Sequence, residues 1–175
     1  MDTAATIDDT QAALAKAEKD KTREGKYLTF VLAGEEYGLE ILKVREIISV
    51  MEITEVPQVP PFIKGVINLR GKVIPVMDLR LKFGMTPIEY TRETCIIVVN
   101  IGDLLIGVVV DTVAEVLDIN ESEIDPPPTF GATVQTDFIM GMGKIKGRVK
   151  ILLDIDKILS VEELNMATQA EAAKD

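Results

Sequence analysis

From Tyr27 onward the apolar positions fall into short runs of near two-residue period, broken by glycine and proline. "YLTFVLA" at 27–33 is rich in β-formers and half alternating, and "GEEYG" at 34–38 reads as the turn that follows. "LEILKVREIISV" at 39–50 fits helix and strand periods equally imperfectly, so its state stays open. "VINLRGKVIPVMDL" at 66–79 and "KIKGRVKILLDI" at 144–155 both read as strand, tight glycine turn, strand. Pro57, Pro60 and Pro61, then Pro126, Pro127 and Pro128, mark two stiff extended connectors. The pattern turns helical from Ser160, where Ser160 and Glu163 form a capping box and Val161, Leu164 and Met166 a short apolar stripe.

Ahead of this, residues 1–25 carry Ala, Asp, Lys and Thr and almost no large apolar side chain. Only Leu14 could anchor a packed face, so this zone is expected to be a flexible extension. The organisation predicted is that extension, one folded region over 26–165, and the helix end and tail over 166–175.

An internal repeat organises the folded region. "FIKGVINLRGKVIPVMDLRLKF" at 62–83 lies over "FIMGMGKIKGRVKILLDIDKIL" at 138–159, matching Phe62 with Phe138, Gly65 with Gly141, Gly71 with Gly147 and Asp78 with Asp154. The turn's charged flanks agree in sign, Arg70 with Lys146 and Lys72 with Arg148. A weaker match sets Gly38–Ile41 over Gly107–Val110 and continues through Val44 with Val113 and Glu46 with Glu115. Two copies of a strand-rich unit with little helix before the end predict a mainly β protein, two small barrels packed as a pseudo-dimer. The groove between copies is a natural place for a partner.

Composition narrows the chemistry. The 175 residues suffice for a real core, and 47% hydrophobic content supplies it. The net charge of -10, absence of tryptophan and 5% aromatic content leave neither the basic footprint nor the stacking platforms that nucleic acid needs. The same acidity disfavours an anionic membrane surface, and the longest apolar run, Leu104–Val110, is far short of a membrane span. With no basic leader at the start, a cytoplasmic location is expected. Histidine is absent and Cys95 is the single cysteine, which removes the usual zinc ligand sets, Ser–His and Cys–His nucleophiles, and phosphotransfer through histidine. A carboxylate-based hydrolase and an oligonucleotide-binding barrel are the competing classes, and neither has a motif to carry it.

The remaining motifs read as structure. Gly141–Gly147 has the wrong spacing for a nucleotide loop. Asp118–Asp125 imitates the start of a calcium loop but lacks the required glycine, and a single turn capped by Asn120 with Glu123 reaching back fits better. Asp78 and Asp154 are read as N-caps and Cys95 as a small buried hydrophobe. The sharper candidate is Arg70, which at the edge of a tight turn beside Asn68 and Gly71 can present a fixed fork to a carboxylate. Glu46, embedded in an apolar stretch, is its plausible mate, either as a structural pair or as a partner surface.

At these residues the chain resembles the chemotaxis coupling proteins of the CheW family. The resemblance runs over about 26–165 and rests on "EEYGLEILKVREI", "FIKGVINLRGKVIPVMDLRLKFG", "LLIGVVVDTVAEVL" and "ILLDIDKIL". It implies two SH3-like five-stranded β-barrel subdomains, interleaved halves of the one folded region. It also implies a non-enzymatic adaptor, without cofactor, that binds the regulatory domain of the chemotaxis histidine kinase and the cytoplasmic tips of methyl-accepting chemoreceptors. The same role in a pilus or developmental chemosensory pathway is the variant within that class. By the resemblance, Glu46 and Arg70 are nominated for coupling and Val44, Gly65, Val113 and Val116 for receptor contact. Kinase docking falls on apolar strand edges of the first barrel, with no residue assigned.

Overall fold

The computed structural model describes residues 25–127, 137–159 and Glu163. Eleven strands fill these residues: β1 (Lys26–Leu32), β2 (Glu35–Glu40), β3 (Val44–Ser49), β4 (Ile63–Leu69), β5 (Lys72–Asp78), β6 (Cys95–Ile101), β7 (Leu104–Val110), β8 (Thr112–Asp118), β9 (Ile124–Asp125), β10 (Ile139–Ile145) and β11 (Arg148–Leu153). One short helix, α1 (Leu79–Lys82), follows β5, and single 3-10 turns stand at Ile41–Lys43, Glu121–Glu123 and Ile155–Lys157. The strands form two mixed sheets, a five-stranded one in the order β3-β6-β7-β5-β4 and a six-stranded one in the order β8-β1-β2-β11-β10-β9. These are the two SH3-like subdomains, called here the first and second barrel.

The repeats are not the barrels. The first copy supplies β1 to β5 and the second supplies β6, β7, β8, β10 and β11. Each barrel combines the opening hairpin of one copy with the last three strands of the other. Registers agree across the pseudo-two-fold: Val76 pairs with Gly107 and Met77 with Val108 in the parallel β5·β7 ladder, as Leu152 pairs with Gly38 and Leu153 with Leu39 in β11·β2. Both parallel pairs cross at a glycine because the space is filled: a Cβ on Gly38 would lie 2.8 Å from Leu152 Cδ2, and one on Gly107 would lie 2.8 Å from Ile96 Cγ2.

The exchange explains the composition of β6 and β7. Ile97 and Val99 face a large cluster shared by both barrels, with Leu28, Phe30, Met77, Val108 and Leu153, while Ile96 and Val98 face the first barrel's own core with Ile67, Ile74 and Val76. Strands covered on both sides read as unbroken apolar runs, which is what "CIIVVNI" shows. Cys95 is buried among them, its thiol pushed up by burial.

The crossovers are clamped by ion pairs of opposite polarity. At the β7–β8 corner Asp111 receives Arg80 Nε at 2.7 Å and Nη2 at 2.8 Å, and also the Ala33 N–H at 2.9 Å. At the pseudo-equivalent corner Lys43 Nζ meets Asp156 Oδ2 at 2.7 Å. Burial pushes the Asp111 carboxyl up, but the Arg80 hydrogen bonds, the Ala33 N–H and the Arg80 charge outweigh it and hold the group below its ordinary range.

Several sequence expectations change here. The first turn falls at Ala33–Gly34, with φ of 50° and 81°, and Glu35–Gly38 of "GEEYG" belong to β2. The ambiguous 39–50 stretch divides into the end of β2, a 3-10 turn and β3. Glu123 Oε1 turns back to accept the Asn120 N–H at 3.0 Å, so the acidic run holds a capped turn. Asp78 Oδ1 accepts from Leu81 N at 3.2 Å and Asp154 Oδ1 from Asp156 N at 3.1 Å, as N-caps do. Asp78 is moreover buried, its other oxygen taking the Tyr90 hydroxyl at 2.7 Å. The 1–24 stretch, Pro128 and most of the C-terminal helix lie outside the described residues. Glu163 stands in a helix, and its carboxylate receives Lys82 Nζ at 2.8 Å on each oxygen.

Candidate functional site

Arg70 sits at the tip of the β4–β5 hairpin with φ of 52°, followed by Gly71 at 89°, the two left-handed residues that a tight two-residue hairpin turn demands. Asn68 Oδ1 accepts the Gly71 N–H at 2.8 Å and locks the loop. From this stiff turn the Arg70 guanidinium forms an ion pair with Glu46 on β3. A β-bulge between Val44 and Glu46 inserts Arg45 opposite β6 and re-aims the strand's side chains at this point. The Arg70 side chain remains 69% exposed, against 25% for Glu46. An exposed pair of this kind contributes little to stability, on the order of 0–1 kcal/mol, so its guanidinium stays available as a surface donor.

Gly65 lies on the same hairpin but faces inward. Its φ is 142°, and a Cβ there would be 2.0 Å from Thr54 O. Thr54 bonds Val66 in both directions, at 2.8 and 2.9 Å, laying the 52–56 segment across β4. Gly141 repeats this device, for its Cβ would meet Ile124 Cγ2 at 2.6 Å, where β9 crosses β10.

The valine positions are placed differently from a contact surface. Val44 is 4% and Val113 is 1% exposed, both inside the cluster shared by the barrels, and Val116 packs partly buried against that cluster. Val113 pairs with Phe30 on β1, and Val44 with Val99 on β6. Only Glu46, Asn68 and Arg70 come together as an exposed group. Val44, Val113 and Gly65 lie buried beneath that surface, and Val116 is partly buried.

The matching acid and base of the second barrel do not pair. Lys146 has the same φ of 52°, yet no ion pair joins it to Glu115 among the described residues. The Glu115 backbone is instead fixed by Thr29, whose hydroxyl donates to Glu115 O at 2.9 Å and accepts the Glu115 N–H at 3.1 Å. The Arg70–Glu46 pair is therefore a property of one barrel, not a requirement of the repeat.

A cleft of about 400 Å³ opens where the copies meet, lined by Lys82 and Phe83 from the first and Asp137, Phe138, Lys157 and Ile158 from the second. Phe83 and Phe138 stack across it at 5.0 Å. No group of three or more carboxylates and cysteines is arranged to hold a metal among the described residues.

The sequence and the fold have known relatives. The family model described as "CheW-like domain" matches residues 26–163. The chain belongs to the CheW family. It is 44% identical over 139 residues to the chemotaxis protein CheW of Klebsiella aerogenes, covering 79% of this chain and 84% of that one. It is 37% identical over 153 residues to the CheW of Bacillus subtilis, covering 87% and 97%. The crystal structure of a CheW scaffolding protein from Thermoanaerobacter tengcongensis superposes with a TM-score of 0.73 at 39% identity, covering 79% of this chain and 94% of that one. Among the described residues of this CheW-family chain, no helix is long and apolar enough to cross a membrane.

Sequence reasoning missed one buried site. Lys150 on β11 is 5% exposed and forms an ion pair with Glu36 on β2, which Arg148 Nη1 approaches at 3.8 Å. Burial pushes the Lys150 ammonium below its ordinary value. The repeat already carried the signal, because it sets Lys150 over Ile74, a core residue of the first barrel.

Proposed function

We propose that this chain is a non-enzymatic adaptor that couples chemoreceptors to the chemotaxis histidine kinase. It binds the kinase regulatory domain and the cytoplasmic receptor tips, working at the inner face of the membrane through those receptors. The observation that carries this reading is the family match across the whole folded region, 26–163, with relatives named chemotaxis protein CheW. The geometry supports it in two ways. Two barrels joined through one shared core form a rigid body with two faces, and a rigid body can hold two partners in fixed relation. One of those faces presents Arg70 as a guanidinium fork on a locked hairpin, mostly exposed and balanced by Glu46. That suits exchange of the intramolecular carboxylate for a partner's.

Charge reversal tests the site. Arg70→Glu puts two carboxylates side by side and should impair coupling, and Glu46→Arg in the same chain should partly restore it. Defects that simply add would show that the two residues do not act together. Binding of purified kinase regulatory domain and of receptor fragments, measured separately for each variant, identifies which partner the fork meets.

A further inference from the structure

The pseudo-two-fold relation isolates a second surface. The β4–β5 and β10–β11 hairpins share one turn, with φ of 52° at both Arg70 and Lys146, then 89° at Gly71 and 76° at Gly147. In the first barrel the turn's cation is met by Glu46, whereas in the second the Lys146 ammonium has no carboxylate within ion-pair distance among the described residues. From Lys144 to Lys150 the second hairpin carries four cations and no acid, in a chain of net charge -10. Lys144 is met by Asp125 at 3.1 Å and Lys150 by Glu36. Arg148 reaches Glu36 only at 3.8 Å and its side chain is 71% exposed. Val149 points to the opposite face of β11 from Arg148 and is 55% exposed, whereas its counterpart Val73 is half-buried.

We infer that the tip of the β10–β11 hairpin is a docking surface for an acidic protein segment, carboxylates lying on Lys146 and Arg148. The inference rests on the coupling function proposed above, since one of the two partners supplies that segment. Charge complementarity selects the occupant. The tip is the height of one turn, too short to track a phosphate backbone, and the remaining charge of the chain repels a polyanion or an anionic bilayer. A short acidic segment meets the cations while the rest of its protein stays clear.

The test uses the full chain with Lys146→Asn and Arg148→Gln together, asparagine being a residue that tolerates the left-handed conformation. Arg92→Gln, an exposed site on the other barrel, controls for loss of a positive charge away from the tip. Binding to the kinase regulatory domain and to receptor fragments is titrated separately at low and moderate salt, with sedimentation velocity run alongside. The double variant should lose about fivefold or more in affinity for one partner, with a flatter salt dependence, and keep the other. Arg92→Gln should behave as wild type. Wild-type binding with an unchanged double variant overturns the docking surface alone. A wild type that binds neither partner overturns the coupling function and this surface with it. Self-association abolished by the double variant makes the occupant a second copy and overturns the acidic partner. Variant-sensitive binding to RNA or anionic vesicles, with both protein affinities intact, also overturns it.

Discussion

Replacing Glu36 by glutamine should destabilise the protein far more than loss of a surface ion pair would. The Lys150 side chain is 7% exposed and its carboxylate partner 20%. Glu36→Gln leaves the ammonium enclosed without a counter-charge, a change that costs about 3–5 kcal/mol. For a folded region of this size each kcal/mol moves the midpoint by about 2–4 °C, so a fall near 10 °C is expected. Lys150 has a depressed folded value, so between that value and its unfolded one the unfolded chain holds more protons, and stability rises with pH. The deficit of Glu36→Gln should accordingly shrink as pH rises toward the ordinary lysine value of 10.5. The first barrel shows the repair: Ile74 and Leu105 occupy the positions of Lys150 and Glu36. Glu36→Leu with Lys150→Ile should return the protein to wild-type stability or exceed it by about 1–4 kcal/mol. Urea unfolding followed by circular dichroism, with an unchanged m-value, measures both variants, and Glu36→Leu and Lys150→Ile made singly complete the double-mutant cycle. If Glu36→Gln costs less than about 1 kcal/mol, the value of an exposed pair, the ammonium is solvated and the pseudo-symmetric core argument is wrong.

Three further outcomes follow from the same structure. Asp111 has a folded value held below the ordinary 3.8, so its stabilisation is present above that value and is lost as pH falls through the folded one. Asp111→Asn should therefore be less stable at neutral pH and lose less on acidification, read as midpoints from about pH 6 down to about pH 2.5. Gly65→Ala, with its Cβ 2.0 Å from Thr54 O, should cost well over the 1–2 kcal/mol of Gly102→Ala, where φ is 61° and nothing lies within 4 Å. Equal midpoints for the two would show that the 52–56 segment yields freely. Tyr90→Phe removes the 2.7 Å bond to buried Asp78 and should lower stability by about 1–3 kcal/mol without affecting partner binding.

Much of the architecture was legible because duplication writes itself into spacing. The hairpins around Gly71 and Gly147 and the caps at Asp78 and Asp154 recur where the repeat put them. Which strands are exchanged was not legible, since the offset between copies is the same whichever copy supplies β1 and β2. The ladders between copies, β1·β8, β2·β11, β3·β6 and β5·β7, decide it. The first turn was misplaced because Ala33 takes a left-handed φ that its type does not advertise, shifting the reversal ahead of "GEEYG". At the site, residue chemistry pointed to Arg70 with Glu46, and the structure joins them. The valine positions carry apolar side chains whose depth the sequence does not encode. Val44 and Val113 proved to be core, so a substitution there alters packing between the barrels before it alters any contact. Arg80 and Asp111 meet only because the exchange folds one copy's end onto the other's corner.

The coupling claim is tested most directly by co-sedimentation of the full chain with receptor-containing membranes and a chemotaxis histidine kinase, followed by kinase autophosphorylation in the same tubes. The account predicts that kinase reaches the pellet, and its activity follows receptor occupancy, only when this protein is present, with Arg70→Glu reducing both. Kinase that sediments and responds to receptors equally well without the protein would contradict it.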